Sequence, residues 1–151
     1  MCVQILNKND LENILPHRYP AQMLDEVKFD SDIPNEICGY KTIAADEIWL
    51  KGHFPDKPIF PGHCLDECSF LTALALVKIT IPNLSGIPMI AQVGKRSFSL
   101  PALIGDRLEF KLTLKENRDN YIFTFDAKVM NQHGNMVAKF KDIKGVNNKR
   151  I

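Results

Sequence analysis

The sequence predicts an α+β fold in which an antiparallel sheet curls around one long, buried central helix. Two observations carry this expectation. Residues 64–81 form a helix-length, mostly apolar run whose charged residues are Asp66, Glu67 and Lys78, so the helix is wrapped on most sides. Downstream, Leu108, Phe110, Leu112 and Leu114 alternate with Arg107, Glu109, Lys111, Thr113 and Lys115, a period of two that puts one face on a core and one in solvent.

The chain of 151 residues reads as one domain spanning 1–151, long enough to bury a core without staples. A first short helix is predicted at Leu11–Leu15, with Asp10 as its N-cap and Pro16 ending it. His17-Arg18-Tyr19-Pro20 makes a turn, in which His17 serves to order the chain through hydrogen bonds. Extended segments follow at Met23–Phe29 and, after the Pro34-Asn35 turn signal, at Glu36–Ala45. The long helix, Cys64–Ile81, stops at Pro82-Asn83 and spans roughly 27 Å at ~1.5 Å per residue. Two further strands carry Tyr121, Phe123, Phe125, Ala127 and Val129, then Met136, Ala138 and Phe140, with His133-Gly134-Asn135 as the hairpin tip.

A net charge of +1 argues against a nucleic-acid surface, and Lys144, Lys149 and Arg150 read as a solvated polar tail. The central helix is too short and too charged to span a membrane. Cys2, Cys38, Cys64 and Cys68 form no CxxC pair and have no zinc partners, which fits a reduced, cytoplasmic setting and no bound metal. Cys64 and Cys68, at i, i+4, read as small core residues. The N-terminus lacks the pattern of a signal peptide.

Chemistry is concentrated in Gly52-His53-Phe54-Pro55-Asp56-Lys57-Pro58-Ile59-Phe60-Pro61-Gly62 and the helix it enters. Three prolines restrict that loop more than a connector requires, and imidazole is a base near neutral pH. Asp66 reads as a first-turn acid favoured by the helix dipole. Glu67 shares its helix face with Leu71 and Leu74, a water-poor setting that raises a carboxyl pKa and lets it hold a proton for delivery. Gly62 allows close approach to the free N–H groups of the helix start, where a carbonyl oxygen gaining negative charge would be held. A base, an acid and an anion-stabilising helix end point to removal of a proton α to a carbonyl, with loss of a β-hydroxyl as water, or the reverse.

At these residues the chain resembles the β-hydroxyacyl-(acyl carrier protein) dehydratase family of the FabZ type. The likeness lies in Leu15-Pro16-His17-Arg18-Tyr19-Pro20, Leu24-Asp25-Glu26-Val27, Gly52-His53-Phe54-Pro55, Pro58-Ile59-Phe60-Pro61-Gly62 and Gly105-Asp106-Arg107-Leu108. The spacing of 14 from His53 to Glu67 (67 − 53) also matches, and the related FabA type would carry aspartate at Glu67. The resemblance implies a hotdog fold and a homodimer, or a trimer of such dimers, with each site combining His53 of one subunit and Glu67 of the other. It implies dehydration of a (3R)-3-hydroxyacyl group to a trans-2-enoyl group on acyl carrier protein, without a cofactor, in fatty acid synthesis or a specialised acyl or polyene pathway. In this scheme His53 and Glu67 are catalytic, and Phe54, Pro61, Gly62, His63 and Leu71 bind substrate.

Lys95, Arg96, Lys139 and Lys141 are either docking charges for the acidic carrier or solvated strand residues. The chain departs from the family at Asp56, where glycine is usual and aspartate tolerates a left-handed turn, and at His63, Cys64, Leu65 and Asp66. Leu71 replaces a glutamine one helical turn after Glu67. Two other functions stay open on the residues alone. One is a thioesterase using His63 or Asp66 to activate water, and the other is a non-catalytic acyl-binding subunit.

Overall fold

A computed structural model describes residues 2–150. Seven strands form one antiparallel sheet: β1 Val3–Asn7, β2 Glu26–Asp30, β3 Glu36–Thr42, β4 Ile87–Phe98, β5 Arg107–Arg118, β6 Ile122–Met130 and β7 Met136–Asn148, in the order β1-β2-β3-β5-β6-β7-β4. A short helix α1, Lys8–Ile14, follows β1, and the long helix α2, Gly62–Thr80, packs across the sheet. This is the expected hotdog arrangement. The alternation in the second half is realised in the core: Leu108, Phe110 and Leu112 of β5, Phe123, Phe125, Ala127 and Val129 of β6, and Ala138 and Phe140 of β7 are buried. Val137 is buried as well, so β7 departs from strict alternation.

Helix α2 is buried along most of its length, from Cys64 to Val77. Its buried hydroxyls cost little because each donates to a helix carbonyl four residues back: Ser69 to Leu65 at 2.9 Å and Thr72 to Cys68 at 2.8 Å. Gly39 lets β3 approach the helix, since a Cβ there would lie 2.2 Å from Thr72 Oγ1.

Several sequence expectations need correction. Helix α1 begins three residues earlier than predicted. Its cap is Asn7, in a capping box where Asn7 accepts from Asp10 N at 3.1 Å and Asp10 accepts from Asn7 N at 3.0 Å. Asp10 therefore serves at the third helical position rather than as the cap. The segment placed at Glu36–Ala45 ends as a strand at Thr42, and α2 starts at Gly62 rather than Cys64. Lys144 is no tail residue, because β7 pairs with β4 as far as Asn148. β1 and β4 leave no clear alternation in the sequence. Both are sheet edges, where Pro88 and a bulge between Ile90 and Gln92 are tolerated and erase the period-two signal.

Candidate active site

The loop before α2 is tied down at both ends of its histidine. Ile59 N donates to the His53 carbonyl at 2.7 Å, and His53 Nδ1 lies 2.9 Å from the Ile59 carbonyl. A carbonyl can only accept, so Nδ1 carries the proton and Nε2 is left with its lone pair free to act as a base. Phe60 N donates to the Ala102 carbonyl at 2.9 Å, anchoring the loop to the segment before β5. The Phe54 ring stacks on the imidazole with centroids 4.4 Å apart, and the peptide between the two residues is cis. Reciprocal bonds of 3.1 Å between Phe54 and Lys57 close the turn. Asp56 achieves this without the left-handed conformation allowed for it; among the described residues the non-glycine positions at positive φ are Asp119, Asn120 and Asp142.

Pro61 is the N-cap of α2 and supplies no side-chain bond to the helix. The Cys64 and Leu65 amides reach back to its carbonyl, at 3.0 and 3.3 Å, while those of Gly62 and His63 stand at the head of the helix. A Cβ on Gly62 would lie 3.1 Å from the Phe98 ring, so glycine here seats an aromatic side chain over the helix start. His53, Gly62, Leu65 and Phe98 line a cavity of about 280 Å³.

Glu67 faces a different cavity, of about 490 Å³, shared with His17, Phe70, Leu71, Leu74 and Phe123. Burial raises the Glu67 pKa above the ordinary carboxylate value; the His17 imidazole opposes that shift and the Asp66 carboxylate adds to it. Leu71 forms part of the apolar wall beside Glu67, whose side chain is still 35 % exposed within one chain. Within one chain, however, His53 and Glu67 open onto separate cavities.

Asp66 is not the first-turn acid expected of it, because α2 begins at Gly62 and places it in the second turn. Its side chain is 15 % exposed, Oδ2 is 3.2 Å from Arg96 Nε on β4, and Oδ1 is buried with no hydrogen-bond partner. Burial raises its pKa, and Arg96 works against that. Arg96 is thus engaged by the helix, whereas Lys95 and Lys141 face each other across β4 and β7, with Lys139 opposite Ser97. His63 is solvent-exposed and meets Trp49 edge-on at 5.9 Å.

His17 is the residue whose placement the sequence did not reveal. Its local sequence points only to the ordering of a turn, yet its Nε2 lies 3.8 Å from Glu67 Oε1. Fifty positions separate the two (67 − 17), so no local spacing could have joined them. Among the described residues no group of three or more His, Cys, Asp or Glu side chains is arranged to hold a metal ion, and no helix is long and apolar enough to cross a membrane.

A FabA-like domain family model matches residues 15–141, which include both cavities' polar residues and the proline loop. The chain belongs to the FabA-like domain family. Among its curated relatives is the 3-hydroxyacyl-[acyl-carrier-protein] dehydratase FabZ of Sinorhizobium fredii, 36% identical over 139 residues, covering 89% of this chain and 88% of that protein. The FabZ protein of Allorhizobium ampelinum is 35% identical over 121 residues, covering 80% and 78%. The fold is also that of the dehydratase domain from the CurJ module of curacin polyketide synthase, with a TM-score of 0.73 at 15% identity over 97% of this chain and 50% of that one. A hypothetical thioesterase from Streptococcus pneumoniae, solved with coenzyme A, shares the fold at a TM-score of 0.58 and 16% identity, covering 76% and 80%.

Proposed function

We propose that this FabA-like protein, acting as a single domain over residues 1–151, is a 3-hydroxyacyl-[acyl-carrier-protein] dehydratase. The observation that carries the reading is the pairing of a histidine with a free Nε2 lone pair and a carboxyl whose pKa is raised by burial, on a chain about 36% identical to FabZ proteins. His53 Nε2 takes the α-proton of the 3-hydroxyacyl thioester. The Gly62 and His63 amides hold the thioester oxygen as it gains charge, beside Pro61 and the Phe54 ring. Glu67 delivers its proton to the 3-hydroxyl, which leaves as water, and the acyl chain lies along Leu71 in the apolar cavity. No cofactor enters this scheme, and its acyl-carrier chemistry belongs in the cytoplasm.

Because His53 and Glu67 face separate cavities in one chain, the reading requires a homodimer whose sites combine both subunits. Edge strand β4 supports this. It is twelve residues long and presents Met89, Ile90 and Phe98 at 40–53% exposure, an edge that a solitary protein would cover or blunt. Lys95, Lys139 and Lys141 supply positive charge for an acidic carrier protein. The thioesterase alternative is weakened by Asp66, which is committed to Arg96, and by His63, which lies outside both cavities.

Enoyl-thioester absorbance, followed with a 3-hydroxyacyl substrate on carrier protein, tests the activity: wild type should turn over and His53→Ala should not. Mixing His53→Ala with Glu67→Gln subunits tests the shared site. Each mixed dimer then has one intact site, restoring about a quarter of wild-type activity if subunits exchange freely. No recovery after demonstrated exchange excludes the shared site, and release of free thiol instead of enoyl product excludes the dehydratase.

A further inference from the structure

The cavity at Glu67 is walled by apolar groups over almost its whole surface. Of its lining side chains, only His17 and Glu67 carry nitrogen or oxygen: the others are Pro, Phe, Leu, Ala, Val, Ile and Met, with Gly145 contributing backbone. Those two converge, Nε2 to Oε1 at 3.8 Å. That separation is too long for a direct hydrogen bond but fits one oxygen atom hydrogen-bonded at ~2.8 Å to both.

The imidazole is held for this task. Arg18 donates to the carbonyls of Leu15 at 2.9 Å, His17 at 2.8 Å and Glu12 at 2.9 Å, which pins the turn against the end of α1. Nδ1 of His17 is buried and has no hydrogen-bond acceptor beside it. A proton on Nδ1 would be wasted there, so the neutral ring carries its proton on Nε2, facing Glu67. An N–H donor and a carboxyl thus meet at the one polar end of an apolar cavity.

We propose that His17 is a further catalytic residue, whose Nε2–H joins Glu67 in holding the oxygen that leaves C3 of the substrate. The proposal rests on the dehydratase reading above. In the step, the C2–H bond breaks and its proton goes to His53, while the electron pair forms the C2–C3 double bond. The C3–O bond breaks, and the hydroxyl takes the Glu67 proton and departs as water. His17 keeps its own proton throughout, and its hydrogen bond strengthens as the leaving oxygen gains charge. The same donor discriminates 3-hydroxyacyl groups from chains lacking the hydroxyl.

Steady-state kinetics of His17→Ala and His17→Gln beside wild type test this. His17→Ala should lower kcat on the order of 10- to 100-fold with a smaller change in KM, and His17→Gln, which keeps an N–H donor of similar reach, should recover part of the loss. The high-pH limb of kcat should also move up in His17→Ala, since the donor that favours the charged Glu67 carboxylate is removed while Asp66, Cys64 and Cys68 remain beside it. Unchanged kcat, or equal losses in both variants accompanied by a lowered Tm, overturns the role. A second measurement separates this proposal from the reading beneath it: binding of a non-reacting 3-hydroxyacyl pantetheine thioether against its 3-deoxy counterpart. A wild type without turnover defeats the dehydratase assignment. A preference for the hydroxyl that disappears in His17→Ala still supports His17 as its donor, and equal affinity of wild type for both ligands overturns it.

Discussion

Gly39→Ala is the most direct test of how the sheet sets the position of the catalytic helix. Gly39 lies in β3, opposite Val27 of β2 and Phe110 of β5, so the strand is paired on both sides and has little freedom to retreat. The added methyl would sit 2.2 Å from Thr72 Oγ1, 3.1 Å from its Cγ2 and 3.2 Å from its Cβ, against an ordinary contact of 3.4 Å or more. Rotating Thr72 away breaks its 2.8 Å bond to the Cys68 carbonyl, and keeping it requires α2 to shift by about an ångström. Overpacking of this kind costs about 1–3 kcal/mol, and a lost buried hydrogen bond adds about 1 kcal/mol. A destabilisation of about 2–4 kcal/mol corresponds to a Tm lower by roughly 5–15 °C in a chain of this size. The assay is a double-mutant cycle by thermal and urea denaturation with Gly39→Ala, Thr72→Ala and the double variant. Thr72→Ala removes both clashing γ atoms, so the double variant should be more stable than the sum of the two single effects by at least 1 kcal/mol. Additive effects, or a Gly39→Ala protein within 0.5 kcal/mol of wild type, would refute the reasoning.

The remaining predictions concern the site and its surroundings. His53→Ala and Glu67→Gln should each reduce dehydration by roughly 10²-fold or more while leaving the circular dichroism spectrum intact. Burial raises the folded-state pKa of Glu67, so its contribution to stability is present below the unfolded value of 4.5 and is lost as pH rises through the folded one. Glu67→Gln should therefore be more stable than wild type at neutral pH, with the advantage shrinking as pH falls through the raised folded value and gone below 4.5; denaturant titrations across that range read the sign. Ala91→Lys on the exposed edge of β4 should shift sedimentation toward monomer and reduce turnover with it. Burial pushes the Cys64 thiol up to about 12 and that of Cys68 upward as well, so iodoacetamide near pH 8 should label exposed Cys2 and spare those two, as read by mass spectrometry.

The fold and much of the chemistry were legible locally. Residues 107–129 announce their strands because every second side chain must enter the core, and α2 announces itself because it is apolar on most faces. The proline loop and the Leu71–Leu74 face beside Glu67 were likewise readable, since both arise from neighbours within a few residues along the chain. Other features depend on partners distant in sequence. Edge strand β4 carries no period because neither of its faces is buried within one chain, so alternate positions have no core to enter. Asp66 reads locally as a dipole-favoured first-turn acid, yet Arg96, thirty positions away (96 − 66), lies beside it. The His53 tautomer depends on a carbonyl that only the folded loop brings within reach. The sequence by itself determined which residue types the site contains and that a helix end would present them. Only the tertiary structure decided that His17 meets Glu67 and that His53 does not share its cavity within one chain, because a side chain's neighbours across a core follow from how strands and helices stack rather than from their order along the chain.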